Sequence, residues 1–159
     1  MNSIPVGRMS QQLRKQLGVL VVLALFMSVL HAAQPAGETL YKRLGGYDAI
    51  AGFVDTAFPR VAMHPELSQF FRGHSHSSQL RQRQLIVDAL CAATGGPCIY
   101  TGRDMKPLHD GLGITNAQWA TFMTIISATA TEKKLGDREK KEFLDLFATR
   151  FKPDIVEKP

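Results

Sequence analysis

One histidine lies in a heavily punctuated stretch of the chain, "YTGRDMKPLHDGLGI" at residues 100–114. Pro107 precedes His109 by two residues, and Gly111 and Gly113 follow it. Because proline and glycine oppose the extension of a long helix, this stretch predicts an irregular backbone around one imidazole. An imidazole nitrogen is a common metal ligand. The alternative is a partly exposed loop histidine without a chemical role.

The predicted helices around this stretch carry more aromatic surface than their mutual packing requires. An apolar pocket with one convergent polar group is the usual form of a cofactor site, and long irregular stretches in compact domains are often functional. The sequence therefore favours a cofactor pocket that includes His109, although ordinary core packing is the alternative for each aromatic residue. The aromatic residues concerned are Phe58, Phe70, Phe71, Trp119 and Phe122.

Two other pairs of side chains could do chemistry. His74 and His76 form an H-x-H that could bind a surface metal or supply a second ligand to a cofactor. A solvated loop is favoured, because one pair lacks the further ligands of a metal site. Cys91 and Cys98 have neither the spacing of a zinc or redox pair nor that of covalent cofactor attachment. The sequence allows either a disulfide between these two cysteines or two small buried thiols.

Two amphipathic helices precede the histidine stretch. Apolar residues at three- and four-residue steps predict the first over residues 47–63. Pro59 within it predicts a kink or an interrupted turn, since proline cannot donate a backbone hydrogen bond. The second covers residues 78–93 and places Gln82 one turn before Ile86 on its apolar face.

The remaining elements complete an all-α domain. "TLYKRLGG" at residues 39–46 predicts a short helix that ends at the double glycine. Thr115 and Gln118 form a capping box before a third helix, and a fourth begins near Asp137. No segment alternates with period two for long, so the fold class is all-α, with residues 94–114 as its irregular part.

A targeting segment precedes this domain. Residues 1–18 hold three basic and no acidic side chains, and "GVLVVLALFMSVL" and the small, polar "HAAQPAGE" follow. This order predicts a signal peptide over residues 1–33, and hence an exported, periplasmic protein. An uncleaved anchor is the alternative, although the apolar run falls short of the roughly 20 residues that span a membrane. Residues 34–38 form a short lead-in.

The charge of the chain indicates little about its partners. Removal of Arg8, Arg14 and Lys15 with the signal peptide lowers the net charge from +5 to +2. No basic face with interleaved aromatic residues is evident, so a nucleic-acid partner is not expected.

Four motifs resemble the group I truncated haemoglobins: "LYKRLGG", "FF" at residues 70–71, "TGGPCIYTGRDMKPLHDGLGIT" and "KPDIV". The resemblance covers residues 39–156. It implies a two-over-two helical sandwich around a non-covalently bound haem b, with the proximal histidine on a nearly helix-free segment. By this resemblance His109 is the iron ligand, and its second ring nitrogen needs an acceptor such as a backbone carbonyl.

The resemblance also assigns residues that line the haem. Phe71 matches an aromatic residue that wedges against the porphyrin, and Lys106 lies near a propionate. Trp119 stands where relatives carry a pocket phenylalanine. The full set of implied haem contacts is Phe70, Phe71, Ile86, Tyr100, Met105, Lys106, Trp119, Phe122 and Ile126.

The distal side departs from the family pattern. Many relatives have Phe-Tyr on the second helix, where the tyrosine donates a hydrogen bond to dioxygen, and here the pair is Ala57-Phe58. The distal pocket is thus expected to comprise Phe58, Ile86 and Gln82, with Gln82 as the remaining donor. An alternative register with Gln84 facing the ligand would bury Asp88 unpaired, at a cost of several kcal/mol. A solvent-facing Gln82 is the other alternative.

The resemblance implies reversible binding of dioxygen, nitric oxide or carbon monoxide at haem iron. Nitric oxide dioxygenation and peroxidase-like turnover are open extensions that need a reductase partner, so whether the protein is an enzyme stays open. The rival hypotheses are a haem-based sensor or carrier without turnover and a cofactor-free helical interaction module. We expect a monomer.

Overall fold

The computed structural model describes residues 37–157, and every regular element within them is helical. This confirms the all-α prediction. A 3₁₀ helix, Ser68–Phe71, follows α2, and a π-helical segment, Phe147–Phe151, joins α6 to α7. The α-helices are α1 (Leu40–Arg43), α2 (Gly46–Met63), α3 (His76–Ala93), α4 (Met105–His109), α5 (Asn116–Glu132), α6 (Asp137–Leu146) and α7 (Lys152–Ile155).

The four long helices form two layers. Helix α2 packs against α3 and α5, and α5 packs in turn against α6. Phe53 of α2 meets Phe143 of α6 edge to face, with ring centroids 5.1 Å apart. Such a contact adds about 0.5–1.5 kcal/mol to the apolar burial of the two rings. The α2–α3 pair therefore lies over the α5–α6 pair, which is the predicted two-over-two sandwich.

Helix α2 runs through Pro59 without a break, so an interrupted turn is wrong, whereas the alternative of a kink stays a prediction. Pro59 cannot donate to the carbonyl of Asp55, one turn earlier. Both residues are exposed. Water can therefore satisfy that carbonyl, and the buried face formed by Ile50, Val54 and Val61 stays intact.

Helix α3 begins two residues earlier than predicted. Ser75 caps it, since its hydroxyl accepts a hydrogen bond from the backbone N–H of Ser78 at 3.2 Å. His76 is thus the first helical residue rather than part of a loop. The cap satisfies one of the four backbone donors that every helix leaves free at its start.

The histidine stretch contains a short helix that the sequence did not predict. Helix α4 has only five residues and ends with His109. Pro107 is tolerated because it occupies the first turn, where no backbone N–H has an intrahelical partner. Gly111 and Gly113 follow with φ values of +78° and +65°, which glycine adopts without strain. The backbone around His109 is therefore less irregular than expected.

The C-terminal half begins with the predicted capping box of α5 but ends with a π-helical segment that the sequence did not predict. The capping box of α5 is present: Thr115 Oγ1 accepts from the Gln118 N–H at 3.2 Å, and Gln118 Oε1 accepts from the Thr115 N–H at 2.9 Å. The π-helical segment, in contrast, was not predicted. Pro153 has no N–H for a regular bond to Thr149, which explains why the helix widens just before it.

Cys91 and Cys98 form a disulfide, which settles the alternative that their spacing left open. None of the helices in residues 37–157 is long and apolar enough to cross a membrane. The predicted signal peptide, residues 1–33, lies outside the described residues and stays a prediction.

Candidate functional site

A cavity of about 580 Å³ opens between the two helical layers. That volume is in the usual range for a cofactor or drug-sized ligand. Helices α2, α3, α4 and α5 contribute its walls, and the segment from the π helix to α7 closes one side. Its lining is mostly apolar, so burial of a flat hydrophobic ligand would be favoured at roughly 25 cal/mol per Å² of apolar area removed from water.

His109 lines the cavity from α4 and is half-buried. Its Nδ1 lies 2.7 Å from the carbonyl oxygen of Met105, one turn earlier. Because a carbonyl only accepts, Nδ1 must carry a proton, and in the neutral imidazole Nε2 then keeps its lone pair. The predicted backbone acceptor is therefore present, and the imidazole is oriented as a neutral nitrogen ligand.

Gln82 lines the same cavity from α3. Its Oε1 is buried and has no hydrogen-bond partner among the described residues. Buried polar atoms are nearly always paired, so an orphaned amide oxygen in a cavity indicates a missing ligand or water. The alternative register is wrong, because Gln84 instead donates to Tyr47 at 2.8 Å and to Asp88 at 3.0 Å.

Phe58 and Phe71 form the aromatic wall beside Gln82. Their rings meet edge to face, with centroids 5.7 Å apart and planes at 77°. Phe58 carries no hydrogen-bond donor, whereas the Gln82 side chain, in the lining of the same cavity, brings an amide. Five of the remaining predicted contacts also line the cavity: Phe70, Ile86, Trp119, Phe122 and Ile126.

The donor set suits a cofactor that brings most of its own metal ligands. Residues 37–157 contain no group of three or more His, Cys, Asp or Glu side chains that could hold a bare metal ion. One imidazole with a free Nε2, an apolar cavity and an unpaired amide are the features that a metalloporphyrin requires. The residues present therefore fit a haem.

Comparison with known proteins agrees with this geometry. A family model described as bacterial-like globin matches residues 39–155. A group 1 truncated haemoglobin of Nostoc commune is 35% identical over 101 residues, which cover 64% of this chain and 75% of that protein. The chain belongs to the bacterial-like globins, in the group I truncated haemoglobins. As a globin it binds haem and a diatomic gas.

Further relatives extend the match. A group 1 truncated haemoglobin of Mycolicibacterium paratuberculosis is 41% identical over 83 residues. The match spans only 52% of this chain and 57% of that relative. The truncated haemoglobin of Tetrahymena pyriformis in its Fe(III) form superposes with a TM-score of 0.67, at 23% identity. The superposition covers 76% of this chain and all of that one. At this identity the likeness establishes the fold alone.

Tyr100 and Met105 line the globin cavity as expected, but Lys106 does not. The Tyr100 hydroxyl donates to the Arg103 carbonyl at 2.7 Å. Burial, and then the charge of Asp104, raise the pKa of Tyr100, so its hydroxyl stays protonated at neutral pH. The Lys106 ammonium is exposed and pairs with Asp110, whose hydrogen bond raises the pKa of Lys106. The structure does not bring Lys106 to the haem cavity.

Among the lining residues that the sequence did not predict are Arg81 and Ser78 of α3. His74, weighed as a second ligand to a cofactor but favoured as a solvated loop residue, also lines the cavity, and its ring meets Phe71 edge to face at 6.3 Å. The π-helical segment adds Phe147 and Phe151 to the lining. The sequence could have predicted this place for Arg81, because the residue directly precedes Gln82 and so lies at the border of the apolar face of α3.

Proposed function

We propose that this truncated globin holds haem b non-covalently, with His109 as the iron ligand and Gln82 as the hydrogen-bonding group for a diatomic gas. The observation that carries the proposal is the pairing of two groups in one apolar cavity. His109 presents an unprotonated Nε2 from α4, and Gln82 presents an unpaired amide oxygen from α3. Haem iron would take up the Nε2 lone pair, and a gas ligand would accept from the Gln82 amide once its NH₂ group turns into the cavity.

The proximal side depends on the Met105 carbonyl. This carbonyl selects the Nδ1–H tautomer of His109 and raises the basicity of Nε2, which strengthens a bond to iron. Non-covalent retention is supported by the cysteines, since both are joined to each other and offer no thiol for attachment. Apolar contact with the aromatic walls then holds the porphyrin.

The distal side depends on Gln82 and Phe58. Haem iron supplies a coordination position for a diatomic gas, and the side chains around that position set the rate at which the gas dissociates. The Gln82 amide can rotate so that its NH₂ group donates to a polarised ligand, because a half-turn of the amide exchanges the positions of its oxygen and nitrogen. Phe58 adds no donor. We therefore propose reversible dioxygen binding with faster release than in tyrosine-bearing relatives, and with nitric oxide and carbon monoxide as competing ligands.

Turnover is a separate matter from binding. Nitric oxide dioxygenation or peroxidase-like activity needs electrons from a reductase partner, whereas a sensor or carrier needs only rapid exchange. Because Phe58 stands where tyrosine-bearing relatives carry a hydroxyl donor, gas exchange should be rapid, and we propose the carrier or sensor role first. The predicted signal peptide and the disulfide together support an exported, periplasmic protein, because disulfides persist in oxidising compartments.

The test is the absorption spectrum of the purified protein with haem. We expect a Soret band in the wild type that is lost or strongly shifted in His109→Gly and is restored by added imidazole. His76→Ala is the matched control, since His76 is an exposed histidine outside the cavity lining and should leave the spectrum unchanged. A wild-type protein without a Soret band, or a His109→Gly spectrum identical to wild type, would refute the proposal.

A further inference from the structure

The disulfide joins the helix that carries Gln82 to the stretch of chain that leads to His109. Cys91 is fully buried near the end of α3, the helix of Gln82. Cys98 is half-buried and lies in the stretch that precedes α4 and His109. The Sγ–Sγ bond therefore ties the end of α3 to the chain that enters α4 at Met105.

The chain before the disulfide is held firmly. The Thr94 hydroxyl donates to the Leu90 carbonyl at 2.7 Å, and the Tyr41 N–H donates to the Thr94 carbonyl at 2.9 Å. Gly96 packs so closely that a Cβ there would lie 2.7 Å from Cys91 Sγ. The end of α3 and its turn therefore form a fixed support for one end of the tie.

The chain after the disulfide is held weakly. Residues 97–103 make no backbone–backbone hydrogen bond to any described residue. The Tyr100 hydroxyl bonds only to Arg103, within the same stretch. The next backbone hydrogen bonds to another part of the chain lie beyond α4, where the Gly113 N–H donates to Glu157 and the Glu157 N–H donates to Ile114. Between these ends, Met105 packs against the core and α4 contacts α7. The proximal stretch, residues 97–112, is thus anchored by the disulfide at one end, by the packing of α4, and by Glu157 at the other end.

We propose that the Cys91–Cys98 disulfide is a redox-sensitive strap that positions the proximal stretch and so controls how firmly the globin retains haem. The inference rests on the proposed haem site. The reductant is a dithiol. One thiolate attacks Cys98 Sγ, the more exposed sulfur, and breaks the Sγ–Sγ bond while Cys91 leaves as a thiolate that takes a proton.

The second thiolate of the dithiol then attacks its own mixed disulfide. Cys98 is released and takes a proton, and the dithiol becomes a disulfide, so two electrons and two protons pass to the protein. Without the strap, residues 97–104 gain conformational freedom, and α4 is held by its packing against α7 and the core and by the Glu157 anchor alone. The chain entropy of a loop this short limits the effect on haem retention to about 70-fold.

The experiment compares the oxidised protein with the same protein after reduction by dithiothreitol and removal of the reagent. Three quantities are measured: the rate of haem transfer to apomyoglobin, the iron–histidine stretching frequency, and deuterium exchange of residues 97–104 in the apoprotein. Cys98→Ser provides a form without the strap. Ile99→Ala is the matched control, because Ile99 lies in the same stretch and is 81% exposed.

We expect reduction to speed haem transfer about 3- to 70-fold, to shift the stretching frequency and to speed exchange in residues 97–104. Cys98→Ser should match the reduced wild type and ignore dithiothreitol, and Ile99→Ala should respond as wild type does. Equal rates of haem transfer in the oxidised and reduced forms overturn the proposal, whether or not the deuterium exchange of residues 97–104 changes. A missing Soret band in the oxidised protein would instead identify a failure of the proposed haem function itself.

Discussion

Restoration of a distal hydroxyl is the sharpest perturbation of this pocket. Phe58 lines the cavity beside Gln82, and its ring is held edge-on against Phe71 with centroids 5.7 Å apart. Phe58→Tyr adds one oxygen to a ring whose position is already fixed. The new hydroxyl can donate to a polarised gas ligand or to the unpaired Oε1 of Gln82. The substitution therefore adds a donor without a large change in packing.

The magnitude follows from one hydrogen bond. Such a bond to a polarised ligand contributes about 1–3 kcal/mol. If it forms with the ligand alone, dioxygen release slows by about 5- to 150-fold, because 1.4 kcal/mol is a factor of ten. If the hydroxyl also bonds to Gln82, the effects of Phe58→Tyr and Gln82→Leu will not add, and a double-mutant cycle will show the coupling.

The assay is dioxygen displacement by carbon monoxide in a stopped-flow instrument, on wild type, Phe58→Tyr, Gln82→Leu and the double variant. Phe58→Leu is the control, since it alters the ring without adding a donor and should stay within about threefold of wild type, less than one hydrogen bond contributes. Gln82→Leu should release dioxygen faster than wild type. An unchanged release rate in Phe58→Tyr would show that the missing tyrosine does not govern gas retention here.

Three further predictions concern stability. Asp55→Asn removes a two-point pair with Arg83, with atoms 2.7 and 2.9 Å apart, and should cost at most about 1 kcal/mol at pH 7 because the pair is partly exposed. The hydrogen bond from Arg83 lowers the pKa of Asp55 below 3.8. The difference in the free energy of unfolding between wild type and Asp55→Asn, measured by urea titration, should therefore shrink as the pH falls through this lowered pKa and vanish below it. Thr115→Ala breaks the capping box with Gln118 and should lower the free energy of unfolding by about 1 kcal/mol, with the thermal midpoint as the measure. Val87→Ala empties a fully buried site outside the cavity and should cost about 2 kcal/mol while the Soret band stays unchanged.

Local sequence patterns were enough to predict the long helices and part of the site. The apolar faces of the long helices were readable because helical spacing depends on residues three and four positions apart. The capping box at Thr115 and Gln118 is equally local. The position of Gln82 also followed from sequence, since the other register would have placed Asp88 in the apolar face.

Features that depend on solvent or on distant neighbours were missed. Continuity through Pro59 depends on water at an exposed carbonyl, which a sequence does not display. Arg81 reaches the cavity, whereas Lys106 pairs with Asp110 outside the cavity lining, and its place near a propionate stays a prediction. A side chain's choice between a cavity and a nearby carboxylate is decided by the packed structure.

Apolar spacing along the sequence by itself determined that the protein is all-α. The resemblance to the group I truncated haemoglobins, carried by short motifs, is what assigns the proposed iron ligand to His109 and marks the absence of the usual distal tyrosine. Only the tertiary structure decided that Cys91 bonds to Cys98, that the Met105 carbonyl orients His109, and that Gln82 faces the same cavity with its amide oxygen unpaired. Each of these is a distance between groups, and a distance exists only after the chain has folded.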